Sequence, residues 1–236
     1  MPVIPPARLI GADAREVIAH DVSALSPYDA SNALAYRNRR LATLSAESDS
    51  FTRLGWGLVA WVLAVVGVLG LAAALWTGAP VGVRVLGLVV AAAGLAAGTA
   101  LGRDVWLAGR AVVNAFVAWT LLPERLAEGG AGVADWRADP VRDAVRARVF
   151  VFEGWRVLRI VAAVAAFLVT PMIGDQLQRT PSDQQWWAGQ TASVTVFVLG
   201  LLLVSMTAAV VLMGGQWRAN RAHARRDPVQ RRLLGR

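Results

Sequence analysis

The chain has no cysteine and no lysine among its 236 residues, and only two histidines and two tyrosines. Without thiols it makes neither a disulfide nor a thiolate metal site, and the redox compartment leaves no mark on it. Every one of the 24 basic residues is arginine, which reads as codon usage in a GC-rich genome, because a surface basic site tolerates either residue type. His20 has no partner at ligand spacing. His223 has only Asp227 four positions on, two groups where a metal or phosphate site needs more, so both histidines read as solvated surface residues.

Catalytic signatures are missing in the same way. The sequence holds no Gly-x-Ser-x-Gly elbow, no P-loop and no His-Glu-x-x-His, and it lacks the Ser-Gly-His segment of acid-phosphatase-type lipid phosphatases. No paired carboxylates stand on an apolar stretch, as the metal site of a phosphatidyltransferase requires. Coupled proton or sodium transport needs buried Asp, Glu, His or Lys, and the apolar stretches offer only Arg84, Arg159 and a few hydroxyls. The expectation is therefore a protein without enzymatic activity and without a cofactor.

What is present is apolar surface. Hydrophobic residues make up 56% of the chain and the mean hydropathy is +0.48, too apolar for an ordinary globular protein. A helix needs roughly 20 mostly apolar residues to cross a hydrocarbon core, and four stretches qualify, at about 55–76, 81–102, 157–173 and 192–213. Lipid-facing backbone must satisfy its own hydrogen bonds, and the alternating ten-residue segments of an outer-membrane barrel are missing. The expected fold is all-α, a polytopic membrane protein with four transmembrane helices and a cytoplasmic helical hairpin extending helices 2 and 3. No basic start followed by an apolar run marks residues 1–10, so the first crossing is expected to serve as the insertion signal.

Arginine placement sets the expected orientation, since Lys and Arg concentrate on cytoplasmic flanks. With both ends inside a bacterial-type inner membrane, all arginines but Arg84, Arg159 and Arg179 lie in the cytoplasm, and Arg159 is close enough to snorkel there. The resulting segments are a cytoplasmic helical stretch at 1–54, crossings 1 and 2 at 55–102, a cytoplasmic hairpin at 103–156, crossings 3 and 4 at 157–214 and a basic tail at 215–236. Ser26, Pro27 and Asp29 spell a helix start that leads toward the first crossing, and Thr180, Pro181 and Asp183 spell another before the fourth. Trp56, Trp76, Trp155, Trp186 and Trp187 sit where an aromatic belt belongs.

Residues 105–122 are apolar enough to resemble a fifth crossing. That crossing would put the arginine-rich tail outside and would need a tight reversal at Gly102, Arg103 and Asp104. The alternative taken is one helix that continues past the second crossing to about residue 124, where Pro123 and the glycines at 129, 130 and 132 stop it. An interfacial or re-entrant placement of 105–122 is the competing reading. The partner of the extension is expected in the run after Asp139 and Pro140, where Val141, Val145, Val149 and Phe152 share a face.

Gly94, Gly98 and Gly102 recur at every fourth position of the second stretch, as do Ala60 with Ala64 in the first and Ala162 with Ala166 in the third. Small residues on one face let helices approach closely in lipid, so these are candidates for packing within the bundle or for self-association. In the tail, Arg218, Arg221 and Arg225 share a face suited to anionic lipid or an acidic partner. Nucleic acid is disfavoured, because neither interleaved aromatics nor a recognition module accompanies the charge. The expected role is a non-enzymatic accessory or scaffold subunit of a larger membrane assembly. A homo-oligomeric channel or uncoupled transporter stands second and a small membrane enzyme third.

Overall fold

The computed structural model describes residues 7–20, 27–48, 50–128 and 188–213, with isolated positions at 161, 164, 165, 167, 168, 172, 173, 175 and 218. Among the described residues the fold is all-helical, with no strand. A 3-10 turn at Ala7–Leu9 precedes α1 (Ala12–Ala19), α2 (Pro27–Ser48), α3 (Phe51–Ala74), α4 (Val81–Thr120), α5 (Leu122–Glu128) and α6 (Thr191–Met213). Among the described residues, three helical stretches are long and apolar enough to cross a membrane: Asn32–Ala74, which contains α3, Val81–Thr120, which is α4, and Thr191–Val211 within α6. The third apolar stretch lies outside the described residues except at isolated helical positions, among which Val161, Val164, Phe167, Leu168 and Met172 are exposed. The helix start at 180–183, the tryptophans at 155, 186 and 187, and the run at 139–152 also lie outside them.

Helix α4 has 40 residues, about 60 Å at 1.5 Å per residue and so about twice the thickness of a bilayer's hydrocarbon core. It passes through Gly102, Arg103 and Asp104 without a turn, which leaves no reversal there for a separate crossing at 105–122. It ends earlier than its sequence suggests, at Thr120 rather than near residue 124, and α5 starts afresh at Leu122. The reason is Pro123. Its missing N–H belongs to the carbonyl four residues back, that of Trp119, and its ring crowds the same carbonyl, so the break falls a turn before the proline. In α5 the proline stands in the first turn, where no N–H is needed, and the Arg125 N–H bonds to the Leu121 carbonyl at 3.1 Å.

The described residues divide into two compact units, one drawn from Met1–Ser50, Leu107–Val157 and Gly214–Arg236, the other from Phe51–Trp106 and Leu158–Met213. In the second unit α3 and the first part of α4 run antiparallel, joined by a tight turn in which Gly78 takes a φ of +86°, open to glycine at no steric cost. Their backbones nearly touch. A Cβ on Gly70 would lie 2.7 Å from the Gly87 carbonyl oxygen and 2.8 Å from the Ala91 nitrogen, and one on Gly67 would lie 2.7 Å from the Leu95 nitrogen. Arg84 closes the turn by donating from Nε to the Ala74 carbonyl at 3.2 Å, a cation on the negative end of α3.

Helix α6 packs antiparallel along α3 through a face of small and polar residues. Ser193 Oγ donates to the Ala72 carbonyl at 2.6 Å, Gly200 lies against Val68, and Ser205 Oγ accepts from Trp61 Nε1 at 3.3 Å. The opposite face, with Leu199, Leu203, Met206 and Val210, is exposed. Ahead of α6, the Gln190 side chain clamps the turn after α3. Its Oε1 accepts from the Thr77 N–H at 2.7 Å and from Thr77 Oγ1 at 2.8 Å, and its Nε2 donates to the Thr77 carbonyl at 3.0 Å.

Candidate functional site

The buried polar chemistry of the first unit centres on the end of α4. Ala33, Arg37, Arg40 and Leu44 stand at i, i+4, i+7 and i+11 along α2, one face of a helix. Ala33 and Leu44 are buried as that spacing predicts, but Arg37 between them is also buried, at 4% exposure. An arginine taken out of water needs its donors satisfied. Arg37 Nε donates to the Trp119 carbonyl at 2.9 Å and Nη2 to the Thr120 carbonyl at 3.0 Å. These are the last two carbonyls of α4, where the helix dipole gathers negative partial charge, and Pro123 has removed the N–H that Trp119 would otherwise receive.

Trp119 itself is fully buried. The Arg40 guanidinium carbon lies 4.7 Å from the centre of its ring, within cation–π range. The His20 ring stacks on it with centroids 6.1 Å apart and planes 22° from parallel. His20 is delivered by α1, whose apolar residues Ala14 and Val17 are buried and whose entry is pinned where the Gly11 N–H donates to Glu47 Oε2 at 3.2 Å. A carboxylate beside the first turn of a helix suits its positive end. Buried Leu121 and Leu122 carry the chain from α4 into α5 beside the cluster.

The cluster thus joins α1, α2 and the α4–α5 junction around one indole. Its side chains, His20, Arg37, Arg40, Trp119 and Thr120, bring N–H and O–H donors and positive charge and no carboxylate. That inventory suits the recognition of an anionic oxygen. Among the described residues no group of three or more His, Cys, Asp or Glu gathers as metal ligands do.

The residues singled out by sequence are placed as follows. A Cβ on Gly94 would lie 2.7 Å from the Leu63 carbonyl oxygen and 2.8 Å from Gly67 Cα, and one on Gly98 would lie 2.9 Å from both the Ala60 oxygen and the Ala64 nitrogen. Gly102 is at the margin of this contact, 4.0 Å from Ala60 Cβ on the same measure. Arg218 Nη1 donates to Asn114 Oδ1 on α4 at 3.0 Å. Ala162, Ala166, Val141, Val145, Val149, Phe152, Arg221 and Arg225 lie outside the described residues.

Sequence reading missed the α3 side of the glycine contact, Gly67 and Gly70, and its continuation at Gly87. It also missed the Trp119 cluster. The available signal was the pair Trp119 and Pro123, since a proline four residues after a helical residue leaves that residue's carbonyl in need of another donor. Comparison with known protein families, with curated proteins and with solved structures gives no match.

Proposed function

We propose that the chain is a non-enzymatic, multi-pass subunit of a membrane assembly that presents a helical cytoplasmic surface to a protein partner. The observation that carries this reading is how polar side chains at the helix contacts are used. Arg37 holds α2 to the end of α4, Ser193 holds α6 to α3, and Gln190 holds the start of α6 to the turn after α3. Each fixes one helix against another, which is the economy of a scaffold, and the glycine contact between α3 and α4 adds to it.

In this reading α3, the first part of α4, residues 157–173 and α6 make four crossings of a bacterial-type inner membrane. Both termini lie in the cytoplasm, where the arginines are concentrated. The extension of α4 and the run through Val141, Val145, Val149 and Phe152 form the cytoplasmic hairpin, and the basic tail lies against anionic lipid.

Affinity purification of the tagged protein from its own membrane in mild detergent, with native mass determination, tests the proposal. Other proteins at fixed stoichiometry support it. A homo-oligomer without other subunits overturns it in favour of a channel, to be followed by flux measurements in liposomes.

A further inference from the structure

We propose that Arg40 and Trp119 form an enclosed binding site for a small oxyanion, a ligand role separate from any scaffold function. Two buried donors here lack acceptors among the described residues. Arg40 Nη1 and Trp119 Nε1 are both shut off from solvent, and among the described residues neither has a hydrogen-bond partner. Buried N–H groups are nearly always paired, by protein or by something bound, and leaving a charged donor unpaired is the costliest case. Here two buried donors, only one of them charged, belong to side chains in contact, since the Arg40 guanidinium carbon lies 4.7 Å from the Trp119 ring centre.

Charge points the same way. Among the described residues Arg40 has no carboxylate against it, and its one partner there is the Trp119 ring, which leaves the positive charge uncancelled. The fully buried Trp119 ring beneath the guanidinium is apolar, and a low-dielectric setting strengthens a charge-assisted hydrogen bond. An oxygen of phosphate or carboxylate type meets all three demands, accepting from the indole N–H and the guanidinium while cancelling one positive charge. A neutral acceptor meets only the first.

The test is equilibrium binding to the full-length protein in detergent, by calorimetry, with inorganic phosphate and acetate as probes and chloride as the control at constant ionic strength. The expected result is saturable binding of phosphate or of acetate at about one per chain, with the probe that binds naming the oxyanion class. Arg40→Gln and Trp119→Phe should each weaken it about tenfold or more, the loss of one charge-assisted or one enclosed hydrogen bond. The second variant keeps an aromatic ring beneath Arg40, which guards against reading a collapsed cluster as a lost ligand contact. Binding no different from chloride in the unaltered protein, or binding that survives both substitutions, overturns the proposal.

Discussion

Arg37 Nε and the carbonyl of Trp119 meet at 2.9 Å across 82 positions of sequence. The bond ties the middle of α2 to the last turn of α4, and it exists because Pro123 cannot supply the N–H that a continuing helix would have brought to the same oxygen. A sequence-local defect is thus repaired by a distant side chain. The repair makes the end of the longest described helix depend on the N-terminal segment.

Arg37→Gln should therefore destabilise the first unit by about 2–4 kcal/mol, since two buried bonds from a charged donor are lost and carbonyls are left short of partners. Arg37→Lys should recover only part of this, because a single ammonium cannot reproduce the two-pronged geometry of Nε and Nη2. Thermal unfolding in detergent gives the order. Limited proteolysis locates it, with new cleavage expected at the α4–α5 junction. Equal melting of Arg37→Gln and the unaltered protein would show that the two bonds carry no net stability.

Pro123→Ala tests the cause of the break. Restoring an N–H at position 123 lets α4 continue and gives the Trp119 carbonyl an intrahelical donor, in competition with Arg37. The two substitutions should be non-additive. Arg37→Gln should cost about 1 kcal/mol less in the Pro123→Ala background than alone, within the range of coupling between groups that share a partner. A double-mutant cycle on unfolding midpoints reads this directly, and strict additivity would separate the proline from the arginine.

The same two residues show what could be read from sequence and what could not. The apolar stretches in α3, α4 and α6 were readable because crossing a hydrocarbon layer is a demand on local composition, roughly 20 apolar residues in a row. Continuity of α4 through Gly102, Arg103 and Asp104 was readable because those residues leave too little chain to reverse a helix, and a separate crossing would put the arginine-rich tail outside. The buried face of α2 was not. Periodicity looks for apolar residues at i, i+4, i+7 and i+11, and here the two inner positions are Arg37 and Arg40 between Ala33 and Leu44. In α6 the residues are apolar on every side, so periodicity is silent and only Ser193, Gly200 and Ser205 mark the packed face. Gly67 and Gly70 were hidden by abundance, since the chain contains 22 glycines and only the facing helix distinguishes those in contact.

That distinction can be measured with alanine. At Gly70 or Gly94 an added Cβ meets the facing backbone at 2.7 Å, and backbone cannot swing aside as a side-chain tip can. The α3–α4 pair must separate, at about 1–3 kcal/mol for overpacking. Gly55, Gly82 and Gly109 have nothing within 4 Å of the same position. Alanine there should be neutral or slightly stabilising, because glycine costs a helix interior about 0.5–1 kcal/mol relative to alanine. Unfolding midpoints of the five variants should fall into two groups, and a common shift for all five would remove the close approach as a stabilising element.

The absence of native cysteine gives the membrane topology a clean readout, because one introduced thiol is the only thiol. Val81 is exposed at the start of α4 and Arg110 is exposed near its far end, about 43 Å apart along the helix axis at 1.5 Å per residue. That separation exceeds the roughly 30 Å hydrocarbon core. In the proposed orientation a membrane-impermeant maleimide labels Val81→Cys in intact cells, while Arg110→Cys reacts only once the membrane is opened. Labelling of Arg110→Cys alone from outside would invert the protein and defeat the arginine argument. Labelling of both from one side would show that α4 does not cross between these positions, and the four-crossing arrangement would fall with it.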